Sequence, residues 1–158
     1  MDELQYMGAI PLEGLALRLG LAALGGMLLG LDRELRGRAT GLRTHGMVAL
    51  SSCVITVSAF LVYEEAIARD LEYLSIDPLR VIQGLAQAIG FIAAGAIFVA
   101  KGDVHNLTSA ANLWLAAAVG IALGAGQYAL AGLALGFGLL LMTFMRVVER
   151  FMHRRLDN

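Results

Sequence analysis

The sequence predicts an all-α polytopic membrane protein with five transmembrane helices, and three observations carry that prediction. Of its 158 residues 58% are hydrophobic and only 16% charged, with a mean hydropathy of +0.71; a soluble domain of this length does not need so much apolar surface. The apolar residues fall into five runs of roughly 20, the length with which a helix at 1.5 Å per residue crosses about 30 Å of hydrocarbon. Charges collect between the runs. Because the runs are continuously apolar instead of alternating over about ten residues, helices are preferred to a barrel.

The N-terminal stretch carries Asp2, Glu3 and Glu13 and lacks the basic flank and small-residue cleavage site of a secretory signal, so it is expected to be retained. The spans then run over about 15–31, 44–63, 79–100, 107–125 and 128–148, giving a membrane domain over 1–150 and a short tail over 151–158. Asp77 and Pro78 open the third span, the first as N-cap and the second at the first helical position, with Arg80 close by at the same outer side. Between the second and third spans, Tyr63 to Ile76 interleaves Glu64, Glu65, Arg69, Asp70 and Glu72 with Ala66, Ile67, Leu71 and Leu74. That spacing suits either a short amphipathic surface helix or a second span that continues beyond the bilayer.

Orientation follows from the loops. Arg33, Arg36, Arg38 and Arg43 follow the first span, Lys101 the third, and Arg146, Arg150, Arg154 and Arg155 the fifth. The segments between them are acidic or uncharged. The positive-inside rule therefore places the N-terminus outside and the C-terminus in the cytoplasm. The net charge of −1 supplies no global basic field for nucleic acid. Cys53, the single cysteine, leaves no intrachain disulfide or cysteine metal site and reads as a small packing residue.

A weak internal repeat relates the halves at an offset of 65 residues: Ala23, Gly25, Gly30, Gly37, Leu42, Leu50 and Val54 meet Ala88, Gly90, Gly95, Gly102, Leu107, Leu115 and Val119, Arg36 meets Lys101 and Thr44 meets Ser109; the matches reflect either a duplication or chance in a chain so rich in Ala, Gly and Leu. Two helical hairpins would then repeat in parallel about an axis along the membrane normal, with the fifth span outside the scheme. Small residues four apart, Gly26 with Gly30, Gly120 with Gly124, Gly132 with Gly136, and Gly90 with Ala94, together with Gly95, mark close helix contacts, either within the chain or between copies.

Polar residues inside the spans are the candidates for function. Arg18 needs to snorkel or find a partner, and Gln83 and Gln87 lie on one face of the third span at similar depth. Thr108 and Asn112 share a face of the fourth span and can bond across helices. Together these make either a structural network or a polar path. At the cytoplasmic end Asp32, Arg33, Glu34, Arg36, Arg43 and Thr44 form a cluster of mixed sign, with Asp32 and Arg36 spaced for an ion pair. Asp32 and Glu34 meet the low carboxylate requirement of Mg²⁺, as many proteins do, so the metal assignment stays open. His45, His105 and His153 are dispersed and have no transition-metal spacing. No phosphate loop, nucleophile elbow or metalloprotease helix is present in the sequence, so no catalytic residue and no enzyme activity are expected.

GGMLLGLDRELRGRATGLRTHGMVAL at 25–50, Asp77-Pro78-Leu79-Arg80 followed by Gly90-Phe91-Ile92-Ala93-Ala94-Gly95, and Leu107 to Trp114 resemble, in order and spacing, three signatures of the MgtC/SapB family of bacterial inner-membrane proteins. Ala93 and Asn106 stand where that family usually has Gly, and Ser109 and Asn112 where it usually has Thr. The chain resembles a short form without the soluble C-terminal domain of some members. The resemblance implies adaptation to low magnesium or stress, a link to virulence, and action on other membrane proteins, ATP synthase among them. Two functions are compatible with these residues. One is a non-enzymatic regulator in the lipid bilayer whose glycine stripes meet partner proteins. The other is a small homo-oligomeric transporter or channel for a cation or small polar solute, with a dimer expected because one short chain offers little room for a complete path.

Overall fold

The computed structural model describes residues 10–37, 40–69, 77–100 and 103–156, and for 149, 150 and 153–156 it describes the backbone alone. Five helices long and apolar enough to cross a membrane make up nearly all of it: α1 (Leu12–Leu35), α2 (Leu42–Ala68), α3 (Pro78–Ala96), α4 (Leu107–Gly124) and α5 (Tyr128–Leu156). A two-stranded antiparallel hairpin, β1 (Phe98–Ala100) and β2 (Asp103–His105), joins α3 to α4.

Helices α1, α2 and α4 form the core, while α3 and α5 pack against its outside. Glycine makes the core contacts possible. A Cβ on Gly26 would lie 2.4 Å from the His45 carbonyl oxygen, and one on Gly30 would lie 2.6 Å from that of Gly41. Where α2 meets α4, a Cβ on Gly120 would lie 2.2 Å from the Ala49 carbonyl oxygen, and one on Gly124 would lie 2.7 Å from Thr56 Cβ. Backbones this close gain dispersion contacts that larger side chains would prevent, the main source of helix association where lipid is as apolar as the core. The contacts also fix direction: α1 runs antiparallel to α2 and α4, and α2 runs parallel to α4.

The paired glycines nevertheless differ in surroundings. Gly25 has Val119 and Leu135 beside it, whereas Gly90 and Gly95 have nothing within 4 Å of the point where a methyl group would stand. The close contact expected at Gly90 and Gly95 is not made within the chain, because α3 lies at the edge of the bundle. Gly132 and Gly136 on α5 are equally open.

The ends follow local chemistry. Asp77 Oδ1 accepts from Leu79 N at 2.9 Å and Pro78 opens α3, as the sequence predicts. Helix α4 ends in a Schellman motif: Gly126 has φ 75°, Gln127 N donates to Ala122 O at 2.8 Å, and Gly126 N donates to Leu123 O at 3.0 Å. Helix α2 continues unbroken to Ala68, with Arg69 paired to Glu65 at 2.6 Å, which favours the continuing second span. The rest of the proposed surface helix, 70–76, lies outside the described residues, as do Asp2, Glu3, Arg38, Lys101 and Gly102.

The expected third span to residue 100 is too long. Helix α3 stops at Ala96, and Phe98–Ala100 pairs in register with Asp103–His105. Hydropathy alone cannot separate three apolar strand residues from the end of an apolar helix. The first helix exceeds its expected span at both ends, and α5 stays helical through Leu156.

Candidate functional site

Helices α1, α3 and α5 finish at the end where α2 and α4 begin, and most of the predicted polar residues lie there. Asp32 Oδ1 accepts from Arg36 Nε at 3.1 Å, one turn along α1, and also from Arg146 Nη2 of α5. Its side chain is 16% exposed, so the two guanidinium groups replace most of its water. One carboxylate thereby fastens an outer helix to the core. Glu34 turns elsewhere: its Oε2 accepts from Leu42 N at 3.1 Å and supplies the acceptor that the start of α2 lacks, since Gly41 offers no side-chain cap. A Cβ on Gly41 would collide with that same oxygen, so the cap needs glycine. Asp32 and Glu34 therefore serve different partners, and no group of three or more metal-binding side chains is gathered among the described residues. Arg43 is exposed, Thr44 is half-buried, and neither has a role assigned by the structure.

Deeper between the core helices lies a polar relay. Gly41 O, which can only accept, is 3.0 Å from His45 Nδ1, so Nδ1 carries the hydrogen. His45 Nε2 is then an acceptor and receives one Asn112 Nδ2–H at 3.0 Å; the other Asn112 N–H goes to Leu29 O at 2.8 Å. Three helices are joined through two buried side chains, neither more than 6% exposed. The histidine is neutral in this arrangement, because a second ring hydrogen would point at the amide donor.

At the opposite end Arg18 finds a partner, but Gln83 and Gln87 are not it. Its Nη1 donates to Gly124 O at 2.8 Å and its Nε to Tyr128 Oη at 3.3 Å. A cation thus meets the negative end of the α4 dipole, where carbonyls lack intrahelical donors. Gln83 and Gln87 are exposed on α3, and the network expected to unite them with Arg18 does not form. Thr108 is exposed while Asn112 is buried, so those two residues also have separate roles. Asp77 and Arg80 are exposed at the start of α3, and Trp114 is 44% exposed on α4.

Between the hairpin and α4 there is a cavity of about 310 Å³, lined by Arg33, Val104, His105, Asn106 and Leu107 to Ser109. The hairpin that forms one wall is held by stacked Phe98 and His105 rings, 5.1 Å apart. Asn106 adopts φ 68°, and its Nδ2 reaches back to Ala96 O at 3.2 Å. Left-handed backbone explains why glycine or asparagine suits this position. Sequence reasoning missed Arg146 as the partner of Asp32, His45 as the centre of the relay and Tyr128 beside Arg18. Only His45 left a local signal, its four-residue spacing from Gly41 opposite the Gly26 and Gly30 pair.

The MgtC family, compared as a whole with this chain, matches residues 19–151. Relatives include SapB of Bacillus subtilis, 39% identical over 137 residues (85% of this chain and 57% of SapB), and MgtC of Brucella abortus, 35% identical over 136 residues (86% and 53%). SrpB of Synechococcus elongatus is 33% identical over 146 residues (87% and 78%). The chain spans about half the length of several curated relatives it matches. No solved structure matches it.

Proposed function

Since the chain belongs to the MgtC family, we propose that it is a non-enzymatic protein of the bacterial inner membrane that modulates other membrane proteins during adaptation to low magnesium or stress. The observation that carries this reading is the division between two classes of glycine. Gly26, Gly30, Gly120 and Gly124 are consumed in core contacts, whereas Gly84, Gly90 and Gly95 on α3 and Gly132 and Gly136 on α5 are open. In lipid, open small residues at helical spacing let a neighbouring helix approach closely. The core argues in the same direction: α1, α2 and α4 meet at backbone distance, and Arg18, His45, Asn112, Asp32 and Glu34 hold internal hydrogen bonds. The N-terminus is assigned to the outside and the C-terminus to the cytoplasm, from the arginines at the end of α1 and along α5.

Transport is the competing reading because Gln83 and Gln87 are exposed on α3, where two copies facing each other would enclose them. The test uses a bacterium lacking its own copy, grown at limiting magnesium. Gly132→Leu combined with Gly136→Leu is expected to abolish complementation while leaving the purified protein at least as stable to unfolding, since nothing lies within 4 Å of either added Cβ. Full complementation by this double variant would refute the assignment of partner contact to α5.

A further inference from the structure

We infer that Arg36 and Arg146, at the end of the seam between α1 and α5, hold the headgroup of an anionic phospholipid. Both donate to the same oxygen, Asp32 Oδ1, Arg36 through Nε and Arg146 through Nη2. One carboxylate therefore faces two guanidinium groups, and the cluster keeps a surplus of one positive charge. The neighbouring Glu34 is committed to Leu42 N, and among the described residues neither arginine has a second acidic partner. A guanidinium carries five N–H donors, so one bond to Asp32 uses only a part of each. Arg146 Nε is buried and has no hydrogen-bond partner.

The position of the pair selects a lipid over a soluble anion. Arg146 stands about 27 Å along α5 from Tyr128, at 1.5 Å per residue, which is where a span of about 30 Å passes from hydrocarbon to headgroups. Arg36 closes α1 at the same end. Their side chains are 34% and 38% exposed, enough for both guanidinium groups to reach the surrounding lipid. On α1 the surface running back from Arg36 is apolar: Leu24, Leu28, Leu31 and Leu35 are all exposed, at alternating spacings of four and three that align them in one stripe. An acyl chain lies on that stripe while the phosphodiester sits against the two arginines, whose planar forks match its oxygens. Basic pockets between helices at the end of their spans are where anionic headgroups are retained. This inference does not depend on the regulator reading.

The test places the whole purified chain in detergent with equal amounts of phosphatidylglycerol and phosphatidylcholine of the same acyl chains, and reads by native mass spectrometry which lipid is retained. Phosphatidylglycerol should be preferred. Arg36→Gln and Arg146→Gln should each lower that preference about fivefold, the worth of one basic residue at an anionic surface. Asp32→Asn should raise it, because the carboxylate that competes for the same guanidinium groups is gone; a cluster with a structural role alone would lose lipid with any of the three changes. Unfolding in detergent shows whether each variant folds. Arg36→Gln, at the exposed end of α1, carries the test by itself if Arg146→Gln, which cuts the tie to α5, unfolds the chain. No preference for phosphatidylglycerol, a preference unchanged by Arg36→Gln, or one lowered by Asp32→Asn would overturn the inference. So would a dimer mass without bound phospholipid, which would give the arginine pair to a second copy of the chain.

Discussion

Gly120 offers the sharpest test of the packing between α2 and α4. A methyl there would sit 2.2 Å from the Ala49 carbonyl oxygen, 2.9 Å from its carbon and 3.0 Å from its Cα. Ordinary contact begins near 3.4 Å, so the shortest approach falls short by about 1.2 Å. The obstacle is main chain of a long helix, which cannot rotate aside as a side chain can, so α2 and α4 must separate. Overpacking of a tight core typically costs about 1–3 kcal/mol. Separation would also stretch the Asn112 bond to His45, on the same pair of helices. Offsetting this, alanine is favoured over glycine inside a helix by roughly 1 kcal/mol. Gly132→Ala isolates that second effect, since nothing lies within 4 Å of its added methyl. Reversible unfolding in mixed micelles should show Gly132→Ala unchanged or stabilised by up to about 1 kcal/mol and Gly120→Ala less stable than Gly132→Ala by about 1–3 kcal/mol. Equal stability of the two variants would refute the claim that α2 and α4 meet at backbone distance.

Three further outcomes follow from the hydrogen-bond geometry. Asn112→Leu removes both donors of the relay and should destabilise by about 1–3 kcal/mol in the same assay, the range for buried partners left unpaired; a loss within error would mean that the relay is not made. Arg18→Met keeps an apolar stem but withdraws the cation from the α4 terminus, and a loss of roughly 0.5–2 kcal/mol is expected by the same measurement. Asp32→Asn weakens the tie between α1 and α5, so spin labels on these helices near the Arg146 end should show a broader distance distribution, whereas an unchanged distribution would place the tie elsewhere.

Much of the fold was legible because lipid imposes a simple rule: each span must be long, apolar and internally hydrogen-bonded. Asp77 and Pro78 were legible because a cap and a first-turn proline act within a few residues of each other. What escaped the sequence depended on distance along the chain. Arg18 bonds to a carbonyl 106 residues away, and Asp32 to an arginine 114 residues away; no spacing rule connects them. The glycine pattern announced close contacts but could not say which were internal, since Gly26 and Gly132 look alike until α5 is seen on the outside of the core. At Phe98–Ala100 the failure was one of period, three residues being too few to distinguish strand from helix.

The central claim is that this chain acts on other membrane proteins and does not itself conduct. Protein reconstituted in liposomes should therefore pass Mg²⁺ no faster than protein-free vesicles, and Asp32→Asn and Arg36→Ala should leave that background unchanged. A protein-dependent Mg²⁺ flux abolished by those two substitutions would contradict the account and assign the charged cluster to a transport path.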